Sequence, residues 1–80
     1  MKKIFIYGAG YYGEQVLNKI KKEFEILGFI DSDKKKINNN LKKFKIYAPE
    51  VLKKVSYDYI YIASMWSNEI YNFLIKKKNK

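Results

Sequence analysis

Apolar residues fall into short runs separated by polar stretches, and the period of each run predicts an element. Lys3 to Tyr7 (KIFIY) is a β-branched and aromatic run ended by glycine, which predicts a buried strand. From Tyr12 to Lys22, Tyr12, Val16, Leu17 and Ile20 recur at helical spacing. Lys19, Lys21 and Lys22 lie near the end of that stretch, where cations suit the helix dipole. Phe24 to Ile30 (FEILGFI) predicts a second strand, interrupted by Gly28. Asp31 to Lys43 is polar, with a Lys triplet and three successive Asn, and is expected as a loop. Phe44 to Tyr47 predicts a short third strand. The fixed φ of Pro49 suits a first helical position, and a short helix to about Val55 follows. Tyr57 to Ala63 (YDYIYIA) predicts a fourth strand. Ser67 as N-cap and Glu69 in the first turn, with Ile70, Phe73 and Leu74 behind them, predict a closing helix before a Lys-rich tail.

Strands alternating with helices give the α/β class, with parallel strands joined by right-handed crossovers. The expected architecture is a small, incomplete three-layer sandwich around a parallel sheet of about four strands, order 3-2-1-4. The uninterrupted hydrophobicity of the first and fourth strands agrees, because parallel strands are covered on both faces. No internal repeat or linker divides the chain, so residues 1–80 are expected as one domain. A chain this short buries only about 60% of its unfolded surface, and a thin core favours oligomerisation.

Composition narrows the chemistry. The chain is 48% hydrophobic and 31% charged, a globular balance. It has no Cys and no His, which removes disulfides, thiolate metal sites and the commonest general base. The longest charge-free stretches, Ile4 to Gly13 and Tyr59 to Asn68, have about half of the ~20 residues that span a bilayer. No secretory leader pattern opens the chain, so a cytoplasmic protein is expected. The net charge of +9 comes entirely from Lys. Without Arg the bidentate fork that reads guanine is missing, and the Lys are dispersed along the chain. Lys, Ile, Asn and Tyr together fill more than half the positions, and AT-rich codons encode all four. These observations argue against specific nucleic-acid binding.

Gly8, Gly10 and Gly13 form G-A-G-Y-Y-G between the first strand and the first helix. This G-x-G-x-x-G in that context is the dinucleotide-binding fingerprint, and it takes three of the chain's four glycines. Gly8 allows the turn, Gly10 lets a pyrophosphate approach the amides of the helix start, and Gly13 lets helix and strand pack closely. The alternative is a tight βα turn without a ligand. Asp31, eighteen positions after Gly13, ends the second strand, where an acid accepts from an adenosine ribose. Its carboxylate also repels a 2′-phosphate, so NAD fits better than NADP, while Lys34 tolerates extra phosphate. Asp31 reads equally as the start of a turn with Ser32 and Asp33.

Ser64 lies after the fourth strand, at the expected switch point, as a phosphate or ribose donor or as a plain loop residue. Met65 and Trp66 read as packing residues. Tyr12 is expected on the core face with Val16 and Ile20, and Tyr11 exposed over the binding site as a stacking platform. No Tyr is followed four positions later by Lys, no phosphate-loop motif occurs, and Ser56 and Ser67 lack a His partner. No catalytic residue is therefore assigned.

Taken together, KIFIYGAGYYG, GFIDSDKKK, KIYAPEVL and YDYIYIAS resemble the Rossmann-like N-terminal domain of bacterial polysaccharide-biosynthesis and sugar-nucleotide-modifying proteins. These include acyltransferases with a left-handed β-helix and dehydratase or epimerase relatives. The resemblance covers nearly the whole chain, and Gly8, Gly10, Gly13 and Asp31 match its pattern. Asn38 to Asn40 stand where the family carries glycines. The resemblance implies binding of NAD or a UDP-sugar in surface-glycan synthesis, with catalysis left to a separate domain or subunit. Two alternatives stand beside it. One is a fragment of an NAD-dependent sugar-nucleotide enzyme. The other is an interaction or homodimerisation module that lost its ligand, using Tyr57, Tyr59 and Tyr61 of an edge strand with the Ile70/Phe73 helix.

Overall fold

The structure, a computed structural model, describes residues 1–63 and the backbone of 73–76. Its elements in chain order are β1 (Lys3–Tyr7), α1 (Tyr11–Ile20), β2 (Glu25–Ile30), β3 (Asn40–Leu41) and β4 (Phe44–Tyr47). A 3-10 turn (Pro49–Lys53), β5 (Tyr59–Ile62) and β6 (Phe73–Lys76) follow. The class is α/β, as expected. The sheet, however, is mixed and six-stranded, in the order β3-β4-β2-β1-β5-β6.

Four parallel strands, β4-β2-β1-β5, form its middle, and β3 and β6 pair antiparallel at the two edges. The expected four parallel strands in the order 3-2-1-4 are this middle, β4-β2-β1-β5, and the expectation is corrected in number and in its all-parallel character, because β3 and β6 extend the sheet with antiparallel edges. Phe73 and Leu74 belong to strand β6, not to a helix, because they pair with Ile62 and Tyr61 of β5. That pairing also makes β5 an inner strand, so the expectation that Tyr57, Tyr59 and Tyr61 belong to an edge strand is corrected. The helix start expected at Ser67, with Glu69 and Ile70, lies outside the described residues.

The core follows from period-two alternation along β1. Ile4 and Ile6 point to α1 and pack with Val16, Leu17 and Ile20 of the helix and with Phe29 and Ile46 of the neighbouring strands. Phe5 points to the other face, fully buried, its ring meeting Tyr47 and Tyr57 edge-on at 6.0 and 5.8 Å. Burying each such Ile or Phe side chain contributes about 1.5–3 kcal/mol, so β1 is the energetic centre of the sheet. α1 thus covers the Ile4/Ile6 face of the sheet, and Tyr47 and Tyr57 meet Phe5 on the other. Among the described residues only α1 is an α-helix; Pro49 starts a 3-10 turn instead of the short helix expected.

Tyr12 is not on the core stripe of α1. Gly13, Val16, Leu17 and Ile20 fill it, and Tyr12 is 44% exposed. A residue four positions before Val16 has drifted off the buried face, and Gly13, three positions before it, takes the place.

Candidate functional site

The site begins where β1 ends. The Gly8 N–H donates to Ile30 O at 2.7 Å and the Ala63 N–H to Tyr7 O at 2.9 Å. The chain thus leaves the sheet between the carboxyl ends of β2 and β5, the edge where open α/β sheets bind ligands. Gly8 turns there with φ +118°, and a Cβ on it would lie 2.6 Å from the Ala63 carbonyl oxygen. Gly13 faces the Gly8 carbonyl so closely that a Cβ would collide with that oxygen. Side chains are thus excluded at both positions by backbone. Gly10 is different: a Cβ would meet only the Lys36 Nζ, at 3.6 Å. Among the described residues, no other atom beyond its chain neighbours lies within 4 Å of that position.

Gly10 caps α1 in an extended conformation, with no side-chain cap. The first backbone bond of the helix runs from Glu14 N–H to Gly10 O at 3.0 Å. The amides of Gly10, Tyr11, Tyr12 and Gly13 donate to no acceptor among the described residues. Those N–H groups and the positive end of the helix dipole suit an anion.

Asp31 lies at the end of β2 and reaches into the loop. Its Oδ2 accepts from the Ala9 N–H at 2.8 Å and its Oδ1 from the Asp33 N–H at 2.9 Å. Lys36 Nζ stands 4.0 Å from Oδ2. Burial on its own would raise the Asp31 pKa. The amides of Ala9, Asp33 and Ser32, together with the Lys36 charge, outweigh burial and hold the carboxyl below its ordinary value. Asp31 is thus a carboxylate that fastens the loop to β2.

Gly8, Gly10, Gly13 and Asp31 therefore come together as the sequence predicts. Tyr11 is 68% exposed at the helix start, its ring crossing that of Tyr12 edge-on at 5.3 Å. Both tyrosines stand outside the core, beside the loop. Ser64, Met65 and Trp66 lie outside the described residues. Lys36 does not stand out in the sequence: Lys34 is nearer to the acid along the chain, but Lys36 is the one the turn returns to Asp31 and Gly10. Its signal was the spacing of Asp31 and Asp33, each of which caps the amide two residues on. A further link, Lys42 Nζ to Glu14 Oε2 at 3.1 Å, ties the β3–β4 turn to the first turns of α1.

Among the described residues no cluster of acids could hold a metal ion, and no helix is long and apolar enough to cross a membrane.

The chain aligns with the crystal structure of UDP-D-quinovosamine 4-dehydrogenase from Vibrio fischeri at 38% identity and a TM-score of 0.58. The alignment covers 66% of this chain and 45% of that one, so the chain spans less than half the length of that enzyme. No curated protein matches it. A sugar-nucleotide enzyme at this identity agrees with the resemblance to Rossmann-like N-terminal domains of sugar-nucleotide-modifying proteins. With the match to the C2185-like N-terminal description running over residues 1–79, the chain belongs to the C2185-like N-terminal family.

Proposed function

We propose that this chain is a nucleotide-binding module that holds NAD or a UDP-sugar at the glycine loop and serves surface-glycan synthesis in the cytoplasm. The observation that carries this reading is the set of amides from Gly10 to Gly13 that find no acceptor among the described residues, in a loop fastened by Asp31. A pyrophosphate fits such a cradle, because it needs converging N–H donors and close backbone approach. Tyr11 offers a stacking face for a base, and Ser64, outside the described residues, is the polar partner that the sequence suggests. No described residue supplies a nucleophile paired with a base, so chemistry falls to a second domain or subunit.

Titration with NAD, NADP, UDP and UDP-sugars, followed by thermal shift or NMR, tests the proposal. A ligand at 100 times its dissociation constant stabilises the fold by about 2.7 kcal/mol. Gly10→Val, whose Cβ meets no backbone among the described residues and only the Lys36 ammonium, should abolish the shift and keep the fold. The absence of any shift with all of these ligands refutes the proposal.

The second reading, a fragment of an NAD-dependent sugar-nucleotide enzyme, is favoured by the partial coverage of the Vibrio fischeri structure. It requires NAD to bind; a protein that binds UDP-sugars and ignores NAD excludes it.

A further inference from the structure

Asp31 has few acceptor sites left to offer. A carboxylate accepts at about four lone-pair positions. The Ala9 and Asp33 amides take two of them, the Ser32 amide faces the same carboxylate, and Lys36 Nζ stands 4.0 Å from Oδ2, an ion-pair distance and not a hydrogen bond. The side chain is only 18% exposed. A ribose diol brings two donors to a carboxylate that is already turned to three backbone amides. Lys36 is placed the other way. Its side chain is 40% exposed, and its ammonium has donors beyond the one turned to Asp31. It is the group nearest to the open side of Gly10.

The position of Lys36 is also built. Asp31 Oδ1 holds the Asp33 amide, and Asp33 O in turn accepts from the Lys36 N–H at 2.9 Å. Asp33 Oδ1 holds the Lys35 amide at 2.9 Å. The segment from Asp31 to Lys36 is one fastened turn that brings the ammonium back over the glycine loop.

We infer that Asp31 is a positioning residue committed to the protein's own backbone, and that Lys36 is the side chain that reads the ligand, selecting for phosphate charge and not for a ribose diol. The inference rests on the nucleotide-binding reading above and deepens it. Opposite Lys36 the Asp31 charge is balanced, so a 2′-phosphate is not repelled. This departs from the preference for NAD that an unpaired acid at this position predicts.

Calorimetric titration of the full chain with NAD, NADP, UDP and inorganic pyrophosphate tests it in wild type, Lys36→Gln, Lys36→Arg and Asp31→Asn. Lys36→Gln should weaken every ligand that the wild type binds, pyrophosphate included, by about tenfold or more, the scale of a charged hydrogen bond. Lys36→Arg should restore most of that loss. Asp31→Asn should weaken pyrophosphate along with the nucleotides, because the loop itself loosens. Where dinucleotides bind, NADP should bind at least as tightly as NAD. Wild-type affinity in Lys36→Gln, a tenfold preference for NAD, or an Asp31→Asn variant that loses nucleotides and keeps pyrophosphate would each overturn the inference. A wild type that binds none of the four overturns the nucleotide-binding reading itself, a different failure visible before any variant is made.

Discussion

Three glycines share one motif and do different work, and only neighbouring atoms tell them apart. Gly8 and Gly13 are held by backbone oxygens that leave no room for a side chain, while at Gly10 a Cβ would meet only the Lys36 ammonium among the described residues. The sequence carried the spacing, so the loop was legible. The commitment of Asp31 was not, because an acid that caps Ala9 and one that awaits a ribose look the same in a string of letters. The lowered Asp31 pKa turns that commitment into a pH dependence. A depressed folded-state value means that the folded protein binds this proton less readily than the unfolded chain. The stabilisation is therefore complete above the ordinary aspartate value of 3.8 and is lost as pH falls through the lowered one. Asp31→Asn should melt below wild type at about pH 6, and the gap should close towards about pH 2. Melting curves across that range check it. A gap of constant size would show that the carboxylate's charge is not what fastens the loop.

Among the elements, β1 and β4 lie where the apolar runs place them, because each run is bounded by a turn or a polar stretch. The edges of the sheet were illegible for two reasons. β3 is two residues long, too short to show any period, and lies in an Asn- and Lys-rich stretch. β6 carries Phe73 and Leu74, whose spacing from Ile70 also fits a helix; pairing along β5 decides between the two. The β3–β4 hairpin brings its own cost. Leu41 pairs with Phe44, which leaves Lys42 and Lys43 as a two-residue turn with φ of +52° and +75°. Turns of this kind favour Asn-Gly, and a residue with a Cβ loses about 1–2 kcal/mol in that region. The exposed Lys42–Glu14 pair returns at most about 1 kcal/mol. What holds the turn is the packing of Leu41 and Phe44 against the core. Lys43→Gly removes strain and leaves the ion pair intact, so it should stabilise the protein by about 0.5–1 kcal/mol after the greater freedom of glycine in the unfolded chain is subtracted. A chemical-denaturation midpoint that moves upward at unchanged slope would confirm this; a downward shift would mean that Lys43 is held by something stronger than the strain it bears.

For the molecule as a whole, charge is the dominant imbalance, seventeen cations against eight acids. The described residues contain two ion pairs, and one of those spans 4.0 Å. Attraction between exposed pairs is therefore small, while repulsion is spread over a surplus of nine positive charges. Neighbouring lysines such as Lys34, Lys35 and Lys36 repel over distances that a Debye length of about 10 Å at 0.1 M salt begins to screen. Raising sodium chloride from about 10 mM to about 150 mM should therefore raise the melting temperature, against the usual loss that screening inflicts on salt-bridged surfaces. Pyrophosphate at matched ionic strength separates general screening from the site. Screening depends on ionic strength alone, whereas a cradle of amides with Lys36 above it binds the anion itself. The excess stabilisation of pyrophosphate over chloride should thus be present in the wild type and disappear in Gly10→Val, which keeps every charge and places its side chain between the loop amides and Lys36. An equal excess in both proteins would assign the effect to dispersed lysines and leave the glycine loop without a guest.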